Sequence, residues 1–133
     1  MKKKVLVDLS CTILHHGHVR LLKKASKLGK VVVALTIDKD IKKNKGYMPE
    51  LKYNFRKEIL LSLRYVNKVI PTKFRITNKF LKKNKVDILV RGSDYINEKF
   101  DIKTVIYPRT KLISSSAIRK KSYKIFNESH KQD

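Results

Sequence analysis

Val31-Val32-Val33-Ala34-Leu35 offers no polar side chain to water on either side, so a strand made from it must be covered on both faces. Working outward, runs of similar make-up recur at Val5 to Leu9, Val66 to Ile70, Val86 to Val90 and Thr104 to Tyr107. Between them, apolar residues return at three-to-four spacing in Val19 to Leu28, Tyr53 to Leu63 and Thr77 to Lys83, as they do along one face of a helix. This alternation predicts an α/β, Rossmann-like, doubly wound fold with a mainly parallel sheet and helices on both faces. Ligands in that architecture bind beyond the carboxyl ends of the strands.

The chemically distinctive residues fall at those ends. His15-His16-Gly17-His18 follows the first strand, Arg91-Gly92-Ser93-Asp94 follows the fourth, and Arg109-Thr110 follows the fifth. The segment Lys42 to Leu51, with Gly46 and Pro49, reads as a loop able to close over the rim. Past Lys121 the chain turns polar and loses periodicity. The expected organisation is one domain over 1–121 and a polar, frayed tail over 122–133, and 133 residues suit one domain with a core of its own.

Lys and Arg number 33 against 11 Asp and Glu, a formal charge of +22 that attracts polyanions. The basic residues are spread over nearly every element, which reads as a solvated coat, with a nucleic-acid-binding protein as the non-enzyme alternative. The lone Cys11 rules out an intramolecular disulfide and a Cys-rich zinc site, and fits a reducing, cytoplasmic setting. Lys2 to Lys4 resemble the start of a signal peptide, but Asp8 interrupts the apolar run that follows, so export is not expected. No stretch approaches the roughly 20 apolar residues of a membrane span.

Glycine occurs only at 17, 29, 46 and 92, so neither a GxGxxG fingerprint nor a Walker loop is present. What remains is a helix start flanked by His15 and His18, with Gly17 allowing close backbone approach and helix amides aimed at an anion. Exposed histidines at an ordinary helix start are the plain alternative. Metal ligation is a poor fit, because HExxH spacing is missing and carboxylates are few. Displacement at an α-phosphate needs donors around developing charge and a neutralised leaving group, which Lys43, Lys45, Arg56, Arg109 and the hydroxyls of Ser114 to Ser116 could supply. Arg56 could instead snorkel from an amphipathic helix.

Four segments in order carry a resemblance over roughly Val5 to Lys120. HxGH appears as His15, Gly17 and His18; RxxxL as Arg56 to Leu60, running into Arg64-Tyr65-Val66-Asn67-Lys68-Val69-Ile70, similar to RYVDxVI. Arg91-Gly92-Ser93-Asp94-Tyr95 is similar to a G-D-D-W segment, and Arg109 to Ser116 to RTxGIST. The chain thus resembles the small bacterial cytidylyltransferases of the glycerol-3-phosphate cytidylyltransferase kind, within the HxGH nucleotidyltransferases.

The resemblance implies the following roles. His15 and His18 contact the triphosphate and stabilise charge at the α-phosphate; Lys45 and Lys43 reach the phosphates from the closing loop. Arg56 binds the acceptor or a phosphate. Leu9, Ser10, Gly17 and Asp94 frame the nucleotide, and Arg109, Thr110, Ser114 and Ser115 bind base, ribose or leaving phosphates. The implied reaction transfers CMP from magnesium-bound CTP to a phosphorylated small alcohol, glycerol 3-phosphate first, in a homodimer and with no covalent intermediate. Alternatives are a phosphocholine, phosphoethanolamine or phosphonate cytidylyltransferase, and an adenylyltransferase acting on a sugar phosphate. Two departures mark this chain: Leu9 to Thr12 stands where the family often has G-T-F-D, and Leu112 replaces the glycine of RTxGIST.

Overall fold

The computed structural model describes residues 2–95 and 97–130. Strands β1 (Lys4–Leu9), β2 (Lys30–Thr36), β3 (Lys68–Thr72), β4 (Ile88–Gly92) and β5 (Lys103–Tyr107) form one sheet in the order β3-β2-β1-β4-β5. All four pairings are parallel, and the expected doubly wound architecture is the observed one. Val31 to Leu35 lies in β2, between β1 and β3, with Val31, Val33 and Leu35 fully buried on one face and Val32 and Ala34 buried on the other.

The two faces hold separate cores. On one, Val5 and Val7 of β1 meet Leu22 and Ala25 of helix α1 (His16–Ser26) and Leu60 of α3 (Tyr53–Leu61). On the other, Leu6 and Leu89 meet Leu81 of α4 (Asn78–Lys83), a short helix capped by the Thr77 hydroxyl, which accepts from the Phe80 amide at 3.1 Å. Strand alternation sends successive residues to opposite faces, so an uninterrupted apolar run serves both cores at once.

Two elements depart from the expectation. Residues 42–45 are not loop but the last turn of α2 (Asp38–Lys45), which buries only Ile41 and so carries no apolar stripe to read. Its signal is electrostatic: Asp38 and Asp40 sit in the first turn and Lys42, Lys43 and Lys45 in the last, each sign matched to the helix dipole. Gly46 then ends it in the left-handed region at φ 82°. At the other end of the chain α5 (Ser115–His130) continues through residues 122–130, where a frayed tail was expected. Residues 131–133 lie outside the described residues.

The order of strands reverses between β1 and β4, which places a crevice at their carboxyl ends. The loop after β1 feeds α1 there, and the Ser114 to Ser116 start of α5 reaches the same edge. Two helix N-termini therefore look into one crevice.

Candidate active site

That crevice is a cavity of about 330 Å³, lined by His15, Gly17 and His18 from the start of α1 and by Leu9 and Ser10 from the end of β1. Lys45 joins from the end of α2, Asp94 from the turn after β4, and Arg109, Thr110, Ser114 and Ser115 from the segment after β5. Residues far apart in sequence are thus brought together as expected, with two exceptions. Lys43 is exposed and is not among the cavity's lining residues.

Arg56 is the second exception, because it is 2 % exposed and turned into the protein. Its Nε donates to the Leu51 carbonyl at 3.0 Å, Nη1 to the Ser10 carbonyl at 2.7 Å, and Nη2 to the Thr36 carbonyl at 3.0 Å and to Asp38. A guanidinium carries five N–H groups, and this geometry spends most of them on the backbone. Arg56 neither snorkels nor lines the histidine cavity. It borders a second, apolar cavity with Cys11, Leu14, Leu51 and Ile59.

The two histidines are arranged as a reciprocal cap. His15 Nδ1 accepts from the Gly17 amide at 3.0 Å, and His18 Nδ1 accepts from the His15 amide at 3.2 Å. An accepting Nδ1 carries no proton, so the ring hydrogen of each imidazole sits on Nε2 and is free for a ligand. The rings lie 3.9 Å apart between centroids. Burial pushes the His18 pKa down to about 3, with His15, Arg109 and Lys45 adding to the effect, and burial with His16 and Arg109 lowers that of His15. Both are therefore neutral imidazoles, each with an N–H group to donate, among fixed cations.

Gly17 has a role beyond backbone approach. A Cβ there would stand 2.8 Å from His15 Cε1 and 2.9 Å from its Nδ1, so the glycine makes room for the folded-back ring. His16, between the two, is exposed.

Other predicted residues are already engaged. Arg109 donates to Asp94 at 2.8 Å in an open ion pair across the mouth. The Ser114 hydroxyl accepts from the Ala117 amide at 3.0 Å, and the Ser115 hydroxyl donates to the Ile13 carbonyl at 2.9 Å, so both fasten the start of α5. Leu112, in the family's glycine position, keeps a left-handed backbone at φ 64° and is fully exposed. Burial pushes the Cys11 thiol up to about 12, which removes it as a nucleophile.

Three residues were given no site role from sequence. Asp8 lines the cavity and is bound by Arg91, while Arg119 of α5 donates to Glu50 at 2.7 Å and to the Thr12 hydroxyl at 3.1 Å. Asp8 and Arg91 were legible as charges set at the ends of apolar runs. Arg119 stood inside a basic run, Arg119-Lys120-Lys121, with nothing to separate it from its neighbours.

The model of the cytidylyltransferase-like family matches residues 12–121, which span the histidine loop, most of the residues lining the cavity and the start of α5. The chain belongs to the cytidylyltransferase-like family. As a member of it, the protein is a transferase of the nucleotidyl-transfer class. It is 36 % identical over 126 residues to the glycerol-3-phosphate cytidylyltransferase of Bacillus subtilis (strain 168), covering 88 % of this chain and 95 % of that one. It is also 36 % identical over 104 residues to the FAD synthase of Pyrococcus abyssi, covering 77 % of this chain and 68 % of that one. Among solved structures it is similar to the lipopolysaccharide core biosynthesis protein of Thermoplasma volcanium, with TM-score 0.69 and 25 % identity over 84 % of this chain and all of the other. This cytidylyltransferase-like chain is therefore similar over most of its length to proteins whose names point to different products.

Proposed function

We propose that the protein transfers CMP from CTP to a phosphorylated small alcohol, glycerol 3-phosphate first, releasing pyrophosphate. The observation that supports this reading best is end-to-end similarity to a glycerol-3-phosphate cytidylyltransferase, with 95 % of that protein covered. In the reaction an acceptor phosphate oxygen forms a bond to the α-phosphorus while the bond from that phosphorus to the bridging oxygen breaks and pyrophosphate departs. No proton has to move at the reacting oxygen, so the protein's task is positioning and charge stabilisation.

The cavity suits that task. The Nε2–H groups of His15 and His18 and the amides at the start of α1 are neutral donors for the α-phosphate oxygens, and Lys45 and Arg109 supply charge for the leaving group. Leu9, Ser10, Asp94 and Thr110 border the space left for the nucleoside. Arg56 contributes by fixing the Ser10 and Leu51 backbones, rather than by touching the acceptor.

The resemblance implies CTP with magnesium as the substrate form. Among the described residues no group of three or more His, Cys, Asp or Glu is gathered around one point. When bound, magnesium would add to the charge that Lys45 and Arg109 supply against the phosphates.

The working form is proposed to be a cytoplasmic homodimer. No helix of the described residues is long and apolar enough to cross a membrane. Phe55 and Ile59 are exposed four residues apart along α3, with Leu51 exposed in the loop just before it, an apolar patch suited to a second copy, and molar mass by light scattering tests it.

The deciding experiment measures pyrophosphate release with CTP, ATP, UTP and GTP crossed with glycerol 3-phosphate, phosphocholine, phosphoethanolamine, an aminoalkylphosphonate, FMN and a sugar 1-phosphate. CTP with glycerol 3-phosphate is expected to give the highest kcat/KM, and ATP with FMN or a sugar phosphate giving it would overturn the assignment. His18→Ala is expected to lower kcat by about 100-fold or more, as loss of a transition-state donor does.

A further inference from the structure

We infer that Asp8 is the residue of this chain that reads the nucleobase, its carboxylate accepting a hydrogen bond from the 4-amino group of cytosine. This rests on the CTP reading above and names the base contact within that site. Asp8 lies before residues 12–121, so the family match carries no information about it.

β1 ends in an unusual way for a central strand. Val5, Leu6 and Val7 are fully buried, and the next residue of this central strand is a carboxylate, answered on the adjacent strand β4 by Arg91, 3 % exposed. A buried ion pair seldom stabilises a fold more than a well-packed apolar pair would, because both charges lose their hydration. Its presence in the sheet interior therefore calls for another reason, and such departures gather at functional sites. The pair also spans β1 and β4, the two strands between which the sheet order reverses and the ligand crevice opens.

Arg91 is committed to holding Asp8. Its Nε donates to Oδ1 at 3.0 Å and its Nη2 to Oδ2 at 2.8 Å, while Nη1 pairs with Glu98. The Tyr95 ring covers the guanidinium at 4.1 Å and the Phe100 ring lies at 5.3 Å. Arg91 is not among the residues lining the cavity; Asp8 and Tyr95 are. Each carboxylate oxygen still has a lone pair beyond the one Arg91 uses, and Asp8 retains 10 % exposure at the cavity floor. The result is an oriented, acceptor-only group.

Such a group repels phosphates, so it must meet the uncharged part of the nucleotide. The phosphate-binding donors are His15, His18, Lys45 and Arg109, which leaves the β1–β4 crevice to the nucleoside. At position 4 of the pyrimidine, cytosine offers an N–H donor and uracil a carbonyl oxygen, so a carboxylate there favours one and repels the other. A second carboxylate, Asp94, stands at the rim, 55 % exposed, and is available to the ribose hydroxyls.

The test uses the full chain, glycerol 3-phosphate and four nucleotides: CTP, UTP, dCTP, and the triphosphate of pyrimidin-2-one riboside, which is cytidine without its amino group. Wild type is expected to prefer CTP over the deamino analogue by about tenfold or more, the size of a lost hydrogen bond to a charged acceptor. In Asp8→Asn this preference and the CTP-over-UTP preference should both fall at least about tenfold. Ratios of kcat/KM do not depend on how much enzyme is folded, so loss of structure alone cannot mimic the result. Asp8→Glu, which keeps the charge but moves it, serves the same comparison if the amide variant does not fold, and should also lower the ratios. Unchanged ratios in the variant, or no preference for CTP over the deamino analogue in wild type, overturn the inference. So does a variant that loses only its discrimination between CTP and dCTP, which would assign Asp8 to the ribose. Failure of the CTP reading looks different: wild type would then release no pyrophosphate from CTP with any acceptor.

Discussion

His15 and His18 show how much one pair of hydrogen bonds decides. Because each Nδ1 accepts from a backbone amide, each ring presents Nε2–H, and a neutral imidazole becomes a fixed donor rather than a cation. His18 has a folded pKa of about 3 against 6.5 for the free side chain, so between those values the unfolded chain takes up a proton that the folded chain refuses. Its contribution is complete above about pH 6.5 and is lost as pH falls, reaching about 2 kcal/mol by about pH 5. Thermal unfolding at these two pH values should show that loss in wild type and a smaller one in His18→Asn. Leu112 gives a second prediction at this scale. An L-residue in the left-handed region costs about 1–2 kcal/mol, glycine returns about 0.5–1 kcal/mol of that as extra freedom in the unfolded chain, and the exposed Leu112 side chain buries nothing. Leu112→Gly should therefore raise stability by up to about 1 kcal/mol, read as a higher urea midpoint. From sequence the histidines were legible as a candidate phosphate site, but the tautomer was not, because it depends on which backbone amides the folded rings meet.

At the scale of elements, the helices with an apolar stripe were legible and the others were not. α1 buries Leu22 and Ala25, and α3 buries Leu60, so their periodicity survives in the sequence. α2 buries Ile41 alone, and residues 120–126 of α5 are all exposed, so neither advertises a face. Element ends meet through Arg56, which ties the Ser10 loop after β1, the end of β2 at Thr36, the start of α2 at Asp38 and the Leu51 loop before α3. Arg56→Met removes those donors and leaves Asp38 and three carbonyls without their partner. It should cost about 3 kcal/mol or more in denaturant unfolding. Enzyme that remains folded should keep an acceptor KM within about twofold of wild type, whereas a direct acceptor contact predicts a rise in KM of about tenfold or more.

For the whole molecule the dominant quantity is charge. A net +22 surrounding a cavity that carries Lys45 and Arg109 steers an anionic nucleotide inward, and salt screens that attraction. Raising ionic strength to about 0.5 M should lower kcat/KM for CTP by roughly threefold or more and leave kcat nearly unchanged, a split that stopped-flow binding and steady-state rates together can resolve. The fold class, the strand count and the loops that carry the site were determined by the sequence alone, because a parallel sheet buried on both faces imprints apolar runs and one-sided helices on the residues themselves. Which charged residues serve the site was decided only by tertiary structure. Arg56 and Arg109 look alike along the chain, as do Asp8 and Asp94, yet the fold turns Arg56 onto backbone carbonyls and Arg109 onto the cavity mouth, and it sets Asp8 on the cavity floor and Asp94 at the rim. A charge acts through its partners and its distance from water, and neither is a property of the residue's place in the sequence.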